Sequence, residues 1–310
     1  MKRFGLHTLL VVAIGAAVSS CSINAVALNM VSDAVTGGGA DAFRSDNDPE
    51  LVGDALPFAL KMYDTLLQQN PDHQGLALTT SSAYVTYANA FLQIPASMLP
   101  FHEYQEEERL KARAKNLYLR GRDIALDGLE RKYPGFAAAL AKDDYAAALQ
   151  HADESDVGLL YWAGAGWMGA FSLDAFDLRL SMTIPRAAAL MERALALDED
   201  YDNGAIHSFY ISYYGSLPPA LGGSVEKAEF HFQRAVEISG GRLAGPYLAV
   251  AEAVALPDQD VARFTELMET ILAIDVDEYP SNRLANTIHQ RKARWYLENL
   301  EEFFNIDSVS

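Results

Sequence analysis

Residues 185–239 constrain this chain most, because they contain one helical pattern written twice. Ala187, Met191 and Ala194 match Ala228, Phe232 and Ala235 in spacing. A small residue, a large one four positions on and a small one three further on share one helical face. The small residues let a neighbouring helix approach, and the large one fills the groove between helices. The spacing returns in Ala59, Tyr63 and Leu66, which the helix stop Asn70-Pro71 follows, and with larger residues in Phe264, Met268 and Ile271. The last members of three copies, at 194, 235 and 271, lie 41 and 36 positions apart.

This is the second-helix pattern of a tetratricopeptide (TPR) unit, in copies longer and less even than the ~34 residues of a regular array. The expected fold is all-α, an α-α superhelix of degenerate TPR-like helix pairs. Composition agrees: half of the 310 residues are hydrophobic, alanine and leucine dominate, and alternating β-branched runs are scarce. Asp48-Pro49 reads as an N-cap followed by proline at the first helical position. Pro57 is expected to kink or split the helix that begins there. Helices are also expected over about 75–92, 103–133, 246–255, 260–274 and 282–304. The run 156–171 is apolar nearly all round and reads as a central helix.

Lys2 and Arg3 precede an apolar run over 9–18, too short for a stable spanning helix, and Val18-Ser19-Ser20-Cys21 closes it. This is similar to a bacterial lipobox, which implies cleavage before Cys21 and acylation of that residue, the only cysteine in the chain. Residues 1–20 are then a lipoprotein signal peptide, 21–47 the lipidated cysteine with a flexible tether, and 48–310 a single helical domain. Acyl chains, not a transmembrane helix, would anchor the mature protein. Ser22 after the cysteine favours the outer membrane over the inner one. A net charge of −18, from 42 acidic and 24 basic residues, offers no general attraction to nucleic-acid backbones or anionic headgroups.

The residues give little support to an enzyme. His102-Glu103 with Glu106 and Glu107 lacks a second histidine at ligand spacing, and the glutamates suit a helix start. No nucleophile elbow, phosphate loop or His-Glu-x-x-His motif is present, and neither a metal nor a cofactor is expected. Tyr161, Trp162 and Trp167 on the central helix are candidates to line an apolar cavity, although aromatics at helical spacing more often form plain core. Tyr210, Tyr213 and Tyr214 can line a groove. Arg283, Asn286 and Gln290 share a helical face that can hold a carboxylate or dock an acidic part of a neighbouring subunit.

Several blocks carry a resemblance across the whole mature chain. They are Ala55-Leu-Pro-Phe-Ala-Leu-Lys61 with Asn70-Pro71, Tyr133-Pro-Gly-Phe136, Asp156-Val-Gly-Leu-Leu-Tyr-Trp162 with Gly166-Trp167, and Leu190-Met-Glu-Arg-Ala-Leu195. Gly222-Gly-Ser224 with Ala228, His231-Phe232 and Arg234-Ala235 continues the set, and Asn282-Arg-Leu-Ala-Asn286 with Gln290-Arg-Lys-Ala-Arg-Trp295 closes it. With these blocks the chain resembles the T component of tripartite ATP-independent periplasmic (TRAP) transporters, the TatT-type TPR-containing lipoproteins. The resemblance implies a non-enzymatic periplasmic protein that forms trimers, associates with the transporter's solute-binding (P) component and holds a hydrophobic or amphiphilic ligand. Three roles stand side by side: a scaffold for the solute-binding protein, a carrier of the ligand itself, and a TPR adaptor for envelope protein assembly with no ligand.

Overall fold

The computed structural model describes residues 29–36 and 42–305. Cys21 and the signal segment lie outside the described residues. Within them every regular element is helical. The main helices are α1 (Pro49–Gln69), α2 (Gln74–Ala88), α3 (Tyr104–Lys132), α4 (Phe136–Ala141), α5 (Tyr145–Leu149), α6 (Val157–Leu173), α7 (Ile184–Leu197), α8 (Tyr201–Ser216), α9 (Val225–Ser239), α10 (Ala244–Val250), α11 (Val261–Ala273) and α12 (Arg283–Glu298). Among the described residues no helix is long and apolar enough to cross a membrane.

Local chemistry sets many of the boundaries. The Asp48 carboxylate accepts the Leu51 N–H at 3.0 Å, with Pro49 next in line. Asp144, Ser224 and Asp260 cap α5, α9 and α11 in the same way. Gly240, at φ 62°, ends α9 in the left-handed conformation that glycine adopts without strain. The α2 cap is less usual: His73 Nδ1 accepts the Leu76 N–H at 3.0 Å. Its Nε2 therefore carries the proton, which it donates to Asp33 at 3.0 Å.

Helix α1 is not split at Pro57. Val52 and Leu56 on one side of the proline and Ala59, Leu60 and Tyr63 on the other are all buried. A continuous buried stripe outweighs the hydrogen bond that proline removes.

Helix α6 is the centre, packed between α3 and α7 and touching α2. It approaches α3 so closely that a Cβ on Gly166 would lie 2.8 Å from the Tyr118 carbonyl oxygen. The repeat-face residues Ala187, Met191, Ala194, Ala228, Ala235, Phe264, Met268 and Ile271 are all fully buried, and Ala59 and Tyr63 nearly so. Leu66 and Phe232 are half-buried, Phe232 edge-on to Tyr247 with ring centroids 5.5 Å apart.

The apolar interior falls into two clusters. The larger is built mainly by α1–α8 and the smaller by α8–α12. Helix α12 serves both, giving Leu284 and Ile288 to the first and Ala293 and Tyr296 to the second. It also returns to α1, where Arg291 forks onto the Glu50 carboxylate. The two ends of the helical array thus meet.

Candidate functional site: an interior cavity closed by the chain ends

Where the ends meet they line a partly open cavity of about 590 Å³. That is the size range of small-molecule sites. Its walls come from distant parts of the chain. Helix α1 gives Leu56 and Tyr63, α6 gives Trp162, and the start of α8 gives Tyr201 and Asp202. Helix α12 gives Leu284, Ala285, Ile288 and His289, and the N-terminal segment gives Thr36, Phe43 and Arg44. Helix α2 and the turn after it supply Leu78, Thr79, Ser82, Ala83, Thr86, Asn89 and Ala90. The positions 79, 82, 86 and 89 recur at helical spacing, so a ladder of neutral polar groups faces the aliphatic wall of α12.

Its electrostatics are nearly neutral. Arg44 and Asp202 are charged wall residues that pair with each other at 2.8 Å. The His289 ring is pushed down to about 4 by burial first and by the charge of Lys292 second, so it is neutral at physiological pH. Its Nδ1 is buried with no hydrogen-bond partner. Tyr201, pushed up to about 12 by burial, stays a phenol. A wall of this kind favours an uncharged or amphiphilic guest with an apolar body. Among the described residues no group of His, Cys, Asp and Glu is placed to hold a metal.

Of the residues expected to touch a ligand, Trp162 lines this cavity. Tyr161 stands behind it, 5.0 Å from the Trp162 ring and 5.3 Å from that of Tyr201, centroid to centroid. Trp167 is core: its Nε1–H donates to Thr183 Oγ1 at 2.9 Å, and the Arg122 guanidinium lies 4.7 Å over its ring. Asn286 is 1% exposed and serves the backbone, accepting from Ala244 N–H and donating to the Arg242 carbonyl. Gln290 Nε2 donates to the carbonyls of Ile271 and Ile274, where α11 ends. Arg283 pairs with Asp277 and donates to the Ser45 carbonyl. That polar face is therefore occupied within the fold. Arg44, Asp202 and the α2 ladder were not singled out in the sequence. The ladder has a visible signal in its spacing; the others need the tertiary closure.

Tyr210 and Tyr214 lie away from the cavity, stacked on His231 with centroids 4.7 and 5.6 Å away. His231 Nδ1 meets His207 Nδ1 at 2.7 Å, and His207 Nε2 meets Glu199 at 3.2 Å. Glu199 can only accept, so His207 carries its proton on Nε2 and His231 donates from Nδ1. Burial lowers both histidines, His231 to about 4, helped by His207 and Lys227. Arg234 also lowers His207, against Glu199 and Asp200. The unfolded chain then binds more protons than the folded one between about pH 6.5 and pH 4, so stability falls as pH drops through that window. We expect His231 to cost the fold about 1 kcal/mol at pH 5.5 relative to pH 7.5. Urea midpoints at the two pH values, in the wild type and in His231→Gln, would check this; an equal drop in both would exclude His231 as a source.

The sequence model of the TRAP transporter T-component family matches residues 45–304. An uncharacterized protein of Treponema pallidum (strain Nichols) is 36% identical over 265 residues, covering 84% of this chain and 82% of its own length. A match over most of the described fold, including the cavity walls from Leu56 onward but not Thr36, Phe43 and Arg44, is decisive for membership: the chain belongs to the TRAP transporter T-component family.

Proposed function

We propose that this protein is a lipid-anchored, periplasm-facing accessory of a TRAP-type importer that docks the solute-binding component and holds a small apolar or amphiphilic molecule in the interior cavity. Membership of the T-component family supports the transporter role. The observation that carries the ligand is the 590 Å³ cavity, with an aliphatic wall opposite neutral polar groups. It favours a ligand-holding role over an adaptor for envelope assembly, for which a solid core would suffice. The paired helices and their buried repeat faces are consistent with degenerate TPR units. Anchoring through Cys21, with the outer membrane as its site, rests on the lipobox and Ser22.

Exposed apolar side chains support docking or self-association into the expected trimer. Phe101, Phe176 and Met182, at 92%, 95% and 81% exposed, are side chains that such contacts would cover.

Two measurements test this reading, the first on the soluble chain from residue 22, which contains every described residue, and the second on the full acylated protein. Light scattering with and without the solute-binding protein encoded beside it should show a complex; a chain that ignores that partner overturns the docking role. Native mass spectrometry of material extracted from its own membrane should show a retained small molecule. Ala285→Trp, which fills the cavity from an exposed rim position, should lose it with the fold intact. Retention by that variant would place the ligand elsewhere.

A further inference from the structure

The cavity has one wall unlike the others. Residues 42–45 form a single helical turn ahead of α1. Phe43 of this turn lies against the main apolar cluster and lines the cavity, as does Arg44. The turn is tied down by polar contacts to far parts of the chain. Arg44 pairs with Asp202 at 2.8 Å, and its Nε–H donates to the Ser281 carbonyl at 3.2 Å. Arg283 Nη1 donates to the Ser45 carbonyl at 2.9 Å.

Asp202 is held oddly. It has φ 43° and ψ 50°, Asn203 follows at φ 59° and Gly204 at φ 86°. Asp and Asn are the non-glycine residues that adopt the left-handed conformation most readily. This local turn presents the Asp202 carboxylate to Arg44. The Arg44 and Asp202 side chains are 45% and 28% exposed, so the pair is weak and screened by salt. The contact is one that can break and re-form.

We propose that residues 42–46 are a latched lid over the cavity, with the Arg44–Asp202 pair as the latch and Phe43 as the plug, so that a guest enters and leaves when the latch opens. This rests on the cavity being a ligand site. It adds that access is governed by the stretch of chain just ahead of α1.

The probe is the neutral apolar dye N-phenyl-1-naphthylamine, mixed in stopped flow with the mature chain from residue 22. Asp202→Asn should take up dye about fivefold faster than wild type, the factor expected from losing one exposed ion pair, and Arg44→Ala, which also loses the bond to the Ser281 carbonyl, at least as fast. Asn tolerates the left-handed backbone at 202, so that variant removes charge without adding strain. Wild-type uptake should quicken as NaCl rises, while the two variants stay flat. Arg131→Ala, which breaks pairs with Asp72 and Asp127 on α3 and the α1–α2 turn, should behave as wild type. Equal rates in all four proteins overturn the lid.

Hydrogen exchange reads the lid without a guest. Amides of 42–47 should exchange faster in Arg44→Ala, while those of α3 and α6 are unchanged. Unchanged protection at 42–47 overturns the latch even if dye binds. If no protein takes up dye but the exchange responds, the ligand reading fails and the latch stands.

Discussion

Replacing Gly166 by valine should destabilise the protein by about 3 kcal/mol or more, enough to bring a marginal fold close to unfolding. A Cβ at this position would meet the Tyr118 carbonyl oxygen at 2.8 Å and the Arg122 amide nitrogen at 3.1 Å. Both are backbone atoms of α3, so relief requires moving the helix itself. Alanine at 166 meets the same atoms. Its better helix propensity returns about 1 kcal/mol and does not offset the clash. Gly164, two residues earlier on the same helix, is the contrast. There the nearest atoms are Cε and Cγ of Met191, an unbranched side chain that can repack. Gly164→Ala should therefore stay within about 1 kcal/mol of wild type. Thermal and urea unfolding of the three variants would check the order. A Gly166→Ala protein as stable as Gly164→Ala would mean that the α3–α6 contact is looser than described.

Glu252→Ala should cost about 3 kcal/mol, because it strands a buried charge. Lys292 is 7% exposed and its Nζ lies 2.5 Å from Glu252 Oε1. The Tyr296 hydroxyl donates to the same oxygen at 2.8 Å. Glu252 sits on the single π-turn Ala251–Ala255 after α10, which places its carboxylate against α12. Without it an ammonium and a phenol lose their acceptor at once. Lys292→Met should cost less, since the remaining carboxylate is partly exposed and can find water. The double change Glu252→Leu with Lys292→Met should recover most of the loss. A cycle of Glu252→Leu, Lys292→Met and that double, read by urea denaturation, measures the coupling. Additive losses would show that the pair does not act as a unit.

The helices were largely legible from sequence because their signals are local. The repeat faces of α7, α9 and α11 follow the small-large-small spacing, and Asp48-Pro49 marks the start of α1. Of the two outcomes left open at Pro57, a kink or a split, the split does not occur, because the burial that keeps α1 whole comes from contacts outside the helix. Asn286 and Gln290 show how much a helical face leaves open. A polar helical face looks the same in sequence whether it binds a ligand or satisfies main-chain groups, and the partners of these two lie at 242–244 and 271–274. The cavity was legible only through Trp162. Its latch joins residues 158 apart and its seam residues 241 apart, and no local pattern encodes such contacts. Residues 29–36 and 42–45, read as tether, carry helical turns, and Phe43 is part of the cavity wall.

The meeting of α1 and α12 also has a consequence in time. An open array of helix pairs can nucleate at any pair and grow outward, since each pair answers only to its neighbours. Here Leu56 and Leu78 face a wall whose other side, Leu284 and Ile288, is made last. Closing a loop of that length is entropically costly and comes late. During synthesis the first helices therefore wait, apolar side showing, until α12 is complete. The growing chain is most vulnerable to aggregation just before its final helix arrives, and a truncation that removes α12 alone would hold it in that state.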